Sequence, residues 1–455
     1  MRVDGIVYLN RALLPLAYRD KSLEQLADAA SLPGVVGPVC GMPDIHEGFG
    51  LPIGGVMASA ADGLISAGAV GMDINCGVRL LATGLPAREA EVSVLRRFIT
   101  RVEEYVPTGV GKRGKQKGIT GKVFEEAAHL GSRAVMAAGF GRPEDVANTE
   151  EEGCLAGADL GAVSDEAIKR GAVQLGTLGG GNHFIEVQVA DEIYAPEVAE
   201  KFGLCEGQLL VMIHTGSRGF GHQICTDYSK SQLRVAKKYG IALPNRGLAC
   251  APVDSPEGRA YWAAMACAVN FAFANRQVIA HCVRQAFEDV FGLTSGECAL
   301  KTVYDVAHNI AKWEEHGGLK VLVHRKGATR ACPPGHPANP KIYRSTGHPV
   351  LVPGSMGTAS YILTGAAKAA ASFYSVNHGA GRTLSRSAAS MSISKEEFAR
   401  SMGDVLINTR NYRDFLDEAP AAYKDIDQVV ETLAAIGMTR KVARLKPLAV
   451  IKGRD

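Results

Sequence analysis

The chain has 455 residues, 46% of them apolar and 21% charged, with 50 basic and 47 acidic side chains. A chain of this size buries about three quarters of its unfolded surface, so it needs neither disulfides nor a metal to stay folded, and its balance excludes disorder as a main character. A formal charge of +3 announces no nucleic-acid partner, so any such site must be a local patch. Glycine numbers 52, about 11% against a usual value near 7%, without a Gly-X-Y period, which points to many tight turns. The ten cysteines are scattered with no Cys-x-x-Cys pair, which argues against a disulfide framework or a structural zinc site. Asp4, Asn10 and Arg11 interrupt any signal-peptide core. The most apolar long stretch, Tyr261 to Phe273, contains Asn270 and stops at Arg276, so a soluble, cytoplasmic chain with no membrane span is expected.

Pro43-Asp44-Ile45-His46-Glu47-Gly48 forms a polar, glycine-rich loop in which His46 is placed to support a neighbouring site. Gly71 to Gly77 is a glycine-bounded turn with Asp73 and Cys76 three residues apart, close enough to converge on one ion. Pro107 to Gly118 reads as a loop carrying Lys112, Arg113, Lys115 and Lys117, able to steer a polyanion. Gly179 to Glu186 follows; alternation puts His183 and Ile185 on one face and Asn182, Phe184 and Glu186 on the other. Leu209 to Ile213 is a buried strand running into His214. Tyr261 to Val290, crowded with small residues, predicts a long buried helix, with Arg276 beside Arg218 as a candidate anion contact or ion-pair partner. Thr302 to Asn309 places His308 at another strand end, and Val321 to Val323 is a further strand. Gly327 to Gly354, with six prolines, reads as a loop that holds the short strand Val350 to Val352. Val376 to Arg382 carries His378 before a Gly-x-Gly turn. Ser394 and Glu397 make a capping box for a helix to about Val405, and Asp427 to Ile436 predicts another, stopped by Gly437. No repeat and no clear linker divides the chain, so one large mixed α/β domain over residues 1–455 is expected, with mixed sheets around a polar cleft.

One thiolate (Cys76), one carboxylate (Asp73) and three imidazoles (His183, His214, His308) form a mixed soft and borderline ligand set suited to manganese, zinc, iron or cobalt. The joint recurrence of such residues at glycine-flanked strand ends is hard to explain by packing. His378 at the mouth of a glycine turn is placed to attack phosphorus, with Arg382 as a bidentate phosphate partner and Gly379, Ala380 and Gly381 offering backbone N–H groups. Pro353 to Ser360 is a second such turn, in which Ser355 and Ser360 contribute hydroxyls.

Taken together these motifs resemble the RtcB-type RNA ligases along essentially the whole chain. The resemblance rests on Pro43–Gly48, Gly71–Arg79, Gly179–Glu186, His214–Gly219, His324–Arg330, Pro353–Thr358, His378–Arg382 and Val450–Gly453. It implies an enzyme that uses GTP and two manganese ions to join an RNA 3′-phosphate or 2′,3′-cyclic phosphate to a 5′-hydroxyl, in tRNA splicing or RNA repair. It further implies Cys76 shared by both ions, with His214 and His308 on one and Asp73 and His183 on the other, and His378 as the guanylylated nucleophile. By the same resemblance Asn182, Asn309, Ser355, Gly379, Ala380, Gly381 and Arg382 line phosphates and ribose. Glu186, Ser360, Tyr423 and Lys452 form the guanine pocket, with Phe184 packed near it, and archease is a candidate activating partner. Thr215 stands where many members carry serine, His348 where glutamine is common, and Arg454 and Asp455 extend past the usual end. An alternative is a nucleotidyltransferase that caps 3′-phosphates with GMP but seals little.

Overall fold

Strict alternation in the strand Gln208–Thr215 sends Leu209, Val211 and Ile213 into one buried cluster and Leu210 and Met212 into another. Apolar residues on both faces make it a central strand, covered on each side. The structure, a computed structural model, describes residues 1–292, 300–409 and 411–454, so the terminal Asp455 lies outside the described residues. In the largest sheet of the described residues the order is Val350–Val352, Ser360–Gly365, Thr439–Lys452, Phe184–Ile193, Gln208–Thr215, Gly77–Pro86, Lys301–Ala307. Leu406–Ile407 pairs in parallel with the long strand Thr439–Lys452. A second sheet runs Gly5–Val7, Val39–His46, Ile53–Ala60, Leu319–Lys326, Asn309–His316. His308 is the single residue between Lys301–Ala307 of one sheet and Asn309–His316 of the other, so the seam between the sheets passes through it. The mixed α/β architecture expected from the sequence is therefore present. No helix among the described residues is long and apolar enough to cross a membrane.

The helix Pro256–Phe291 covers one face of the large sheet. Ser255 caps it by accepting from Gly258 N, Pro256 sits in its first turn, and Gly292 ends it in the left-handed region at φ 67°. Its small residues allow close approach, and its Asn275-Arg276-Gln277 run is wholly buried. Arg276 donates to the carbonyls of Asn75 (2.9 Å) and Thr215 (2.8 Å), and so ties the Cys76 turn to the strand that carries His214. Its guanidinium also meets Asp305 at 2.8 Å, while Arg79 meets the same carboxylate at 2.7 Å, all three side chains being fully buried. Arg276 is thus an ion-pair partner, not an anion-binding group. Asp305→Ala leaves two buried guanidiniums without their counter-charge and is expected to lower the free energy of unfolding by about 3–5 kcal/mol. Denaturant unfolding measures this; an unchanged midpoint contradicts it.

The predicted helices form at Lys395–Met402, where the Ser394 hydroxyl accepts from Glu397 N, and at Ile426–Ala435. The first stops three residues short of Val405 because Gly403 turns to φ 53°. The Gly327–Gly354 segment is less irregular than its prolines suggest. Ala328–Arg330 pairs with Ser375–Asn377 and Lys341–Tyr343 forms a short 3-10 turn, so regular structure is missing mainly over residues 331–340, where Pro333, Pro334, Pro337 and Pro340 each lack an N–H donor.

Candidate metal and nucleotide site

Two ligand groups share one atom. The donor atoms of Cys76, His214 and His308 lie within 4.8 Å of one another, and so do those of Asp73, Cys76 and His183. Cys76 Sγ is 3.3 Å from His214 Nε2 and 3.5 Å from His183 Nε2; His214 and His308 bring their Nε2 atoms to 3.3 Å; His183 Nε2 is 2.8 Å from Asp73 Oδ2. The five residues thus converge as the sequence expects. They do not all sit at strand ends: Cys76 and His183 come just before the strands Gly77–Pro86 and Phe184–Ile193.

The backbone explains the convergence. Asn75 adopts φ 52°, which asparagine tolerates better than most residues, and its amide is held by Val269 O and Arg276. His308 N donates to Cys76 O at 2.9 Å and Asn75 N to Asn309 O at 2.6 Å, which laces the Asp73–Cys76 turn to the seam between the sheets. The Asn309 side chain donates to Asp73 O (3.0 Å) and accepts from Gly327 N (2.8 Å), so it holds the backbone in place.

The chemistry of the donors fits a cation. A carbonyl can only accept, so the 3.1 Å contact from His183 Nδ1 to Leu178 O puts a proton on Nδ1, while Nε2, 2.8 Å from Asp73 Oδ2, donates to that carboxylate until a cation takes the place of its proton. Burial, then the neighbouring imidazoles, push His214 and His308 well below the ordinary histidine value, so both rings are neutral. Their Nδ1 atoms are buried without a protein partner among the described residues, and their Nε2 atoms crowd one another and a thiol. Burial and the Asp73 carboxylate push the Cys76 thiol up, so it keeps its proton until a cation displaces it. For Asp73, burial is outweighed by His183 and Arg218, which hold the carboxyl down at about 2.

Next to this set lies His378, its ring 4.8 Å from that of His308. Its Nδ1 donates to Asp44 Oδ2 at 2.7 Å, and the same oxygen accepts from His378 N (3.0 Å) and Gly379 N (3.3 Å). The tautomer is thereby set, with the Nε2 lone pair unprotonated. Asp44 is fully buried, and Lys424 Nζ clamps the carbonyls on either side of it, those of Pro43 (3.1 Å) and Ile45. Gly381 wraps the same residue at φ 76°, and a Cβ there would meet Asp44 O at 2.3 Å. The Gly379 N–H therefore serves Asp44, although the sequence offers it to a phosphate.

Both groups open on a cavity of about 340 Å³. Of the residues expected from the sequence, Asp73, Cys76, Asn182, Phe184, His214, His308 and Asn309 line it, together with Ser355, His378, Gly379, Ala380, Gly381, Arg382, Tyr423 and Lys452. His183, Glu186 and Ser360 do not; Glu186 and Ser360 lie behind the wall, bridged by Gln188, whose amide donates to both. Strand register puts Lys452 opposite Phe184 and Val450 opposite Glu186. Burial raises the Glu186 carboxyl to about 8 against the opposing pull of Gln188 and Lys452. The Ser355 hydroxyl is 2.9 Å from that of Thr358 within its turn.

Several wall residues were not singled out by the sequence. Glu418 is 3% exposed and gathers Arg382 (3.0 Å), Lys452 (3.5 Å), Arg386 (3.4 Å) and the Tyr423 hydroxyl. Burial lowers Lys452, and Glu418 opposes it. No local pattern announces Glu418, which is 34 residues from Lys452. Asp44 was legible only as a member of the Pro43–Gly48 motif. The basic loop is exposed at Lys112, Arg113, Lys115 and Lys117, and Gly109 at its base donates to Gly179 O at 2.9 Å, beside the turn that carries His183.

Comparison with known proteins gives the lineage. Residues 25–453 match the family described as tRNA-splicing ligase RtcB. A tRNA-splicing ligase RtcB of Thermococcus kodakarensis is 45% identical over 461 residues, covering 100% of this chain and 95% of that one. One of Archaeoglobus fulgidus is 46% identical with the same coverage. An RNA-splicing ligase RtcB of Mycobacterium tuberculosis is 45% identical over 437 residues, covering 94% of this chain and all of the other. Matched from end to end at such identity, the chain belongs to the RtcB family.

Proposed function

We propose that this protein is a GTP-dependent RNA ligase that joins 3′-phosphate or 2′,3′-cyclic phosphate ends to 5′-hydroxyl ends, as in tRNA splicing or RNA repair. The observation that carries the reading is His378: Asp44 holds its Nδ1–H, and its bare Nε2 lies in the same cavity as a Cys76-centred ligand set. Cys76, His214 and His308 would hold one manganese ion and Cys76, Asp73 and His183 a second, and the ions would supply positive charge to phosphate oxygens.

His378 Nε2 attacks the α-phosphorus of GTP; the N–P bond forms as the bond to pyrophosphate breaks. No proton has to leave Nε2. The ring becomes cationic, and the Asp44 carboxylate 2.7 Å from Nδ1 stabilises that charge. GMP then passes to the RNA 3′-phosphate, the N–P bond breaks and the imidazole is neutral again. Attack by a 5′-hydroxyl on the activated phosphorus joins the strands and releases GMP.

Glu186 and Lys452 support a guanine-selective pocket, together with Tyr423, Ser360 and Phe184. Lys452, Tyr423 and Phe184 line the cavity, where the lysine would donate to O6; Glu186 stands behind that wall and would reach the ring N–H edge only once its bond to Gln188 opens. Asn182, Ser355 and Arg382, which line the cavity, offer groups suited to phosphates and ribose. The exposed cations of the basic loop suit RNA phosphates.

The test supplies manganese, GTP and an RNA 3′-phosphate, with and without a 5′-hydroxyl partner. Joined product dependent on GTP is expected. Accumulation of RNA capped with GMP and no joining would instead favour the capping enzyme. Adding archease to the same assay measures whether it raises turnover.

A further inference from the structure

We propose that the turn after the strand Val39–His46 is the subsite for the 5′-hydroxyl strand, with His46 as the base that takes the hydroxyl proton and Phe49 as a stacking platform for the terminal base. This inference rests on the RNA-joining reading above, which assigns residues to GTP and metal but none to the 5′-hydroxyl strand.

His46 lines the cavity that holds His378. Its Nδ1 is 2.8 Å from Asp44 O, and a carbonyl oxygen only accepts, so the proton sits on Nδ1 and Nε2 carries a free lone pair. Asp44 therefore sets two imidazoles alike, His378 through its carboxylate and His46 through its carbonyl. Nε2 of His46 has no protein partner among the described residues and is not sealed from solvent. Burial first, and Lys424 and His378 besides, hold the ring down at about 4 against the pull of Asp44, so it is unprotonated; the phosphates of bound RNA raise its basicity again.

Phe49, 50% exposed, is the one exposed large apolar side chain that lines this cavity among the described residues. Its turn is pinned at every step. Asp20 accepts from Glu47 N (2.8 Å), Gln25 accepts from Gly48 N (3.1 Å), and Lys326 Nζ donates to Phe49 O. Gly50 adopts φ 80°, where a Cβ would meet Gly247 O at 2.4 Å. A rigid turn that holds an aromatic ring out to solvent beside a reactive cavity is what base stacking requires.

In the sealing step the 5′-oxygen bonds to the RNA 3′-phosphorus as the bond from that phosphorus to the GMP oxygen breaks. The proton passes from the 5′-hydroxyl to His46 Nε2, and GMP leaves with the electron pair.

The experiment supplies RNA already carrying GMP on its 3′-phosphate together with a 5′-hydroxyl oligonucleotide, and separately measures labelling of the protein by GTP. His46→Gln should slow joining at least about a hundredfold, the usual worth of a general base, while labelling falls far less. Added imidazole should restore joining by His46→Ala. Phe49→Ala should raise KM for the 5′-hydroxyl strand about tenfold with little change in kcat. Joining by His46→Gln at the unaltered rate, or labelling lost in step with joining, overturns the proposal, as does an unchanged KM in Phe49→Ala. If the unaltered protein is never labelled at His378, the ligase reading itself fails and this one falls with it.

Discussion

Cys76→Ala is expected to bind less than one manganese ion per chain, where two are expected of the unaltered protein, and to lose RNA joining altogether. Cys76 is the atom common to both ligand groups, so its removal leaves only the His214–His308 pair on one side and the Asp73–His183 pair on the other. Once a cation displaces its proton, Cys76 would be the anion between the two sites, and without it two divalent cations would face each other with less negative charge to offset their repulsion. The substitution is small and the side chain is 3% exposed, so the fold should persist. Metal analysis of the purified variant checks this; a full complement of two ions would remove Cys76 from its shared position.

The second large effect falls on a residue that touches no metal. Asp44→Ala should slow covalent labelling by GTP about ten-thousandfold, the scale seen when an imidazole loses the carboxylate that fixes its tautomer. Three donors converge on one Asp44 oxygen, two of them from the backbone of the turn that carries His378. Their loss frees the ring to rotate and to carry its proton on the attacking nitrogen. Manganese content should stay at the unaltered level, because no predicted metal ligand bonds to Asp44. Labelling at the unaltered rate would show that His378 needs no orienting partner.

The sequence made the site legible where chemistry and spacing coincide locally. Asp73 and Cys76 share a glycine-bounded turn, and His214 ends an apolar strand whose alternation is plain. Positions that depend on distant backbone were not legible. Nothing near Glu418 in the chain says that Arg382, Lys452 and Tyr423 will meet on it, because that meeting is made by the long strand Thr439–Lys452 crossing the sheet. Arg276 read as an anion contact or an ion pair with equal reason; only the packing of the helix Pro256–Phe291 against the seam settles it as a brace for the metal turn. The proline-rich segment misled for a related reason. Its ends pair with Ser375–Asn377 and Ser360–Gly365, partners that composition alone does not reveal.

The central claim is that the bare Nε2 of His378 takes up a guanosine nucleotide. Incubating the protein with manganese and GTP labelled at the α-phosphate, then mapping the adduct by mass spectrometry, tests it most directly. A single GMP on His378, stable to alkali, lost in acid and absent from His378→Ala, is the expected result. A protein loaded with manganese that never gains GMP, or gains it at another residue, would contradict the account.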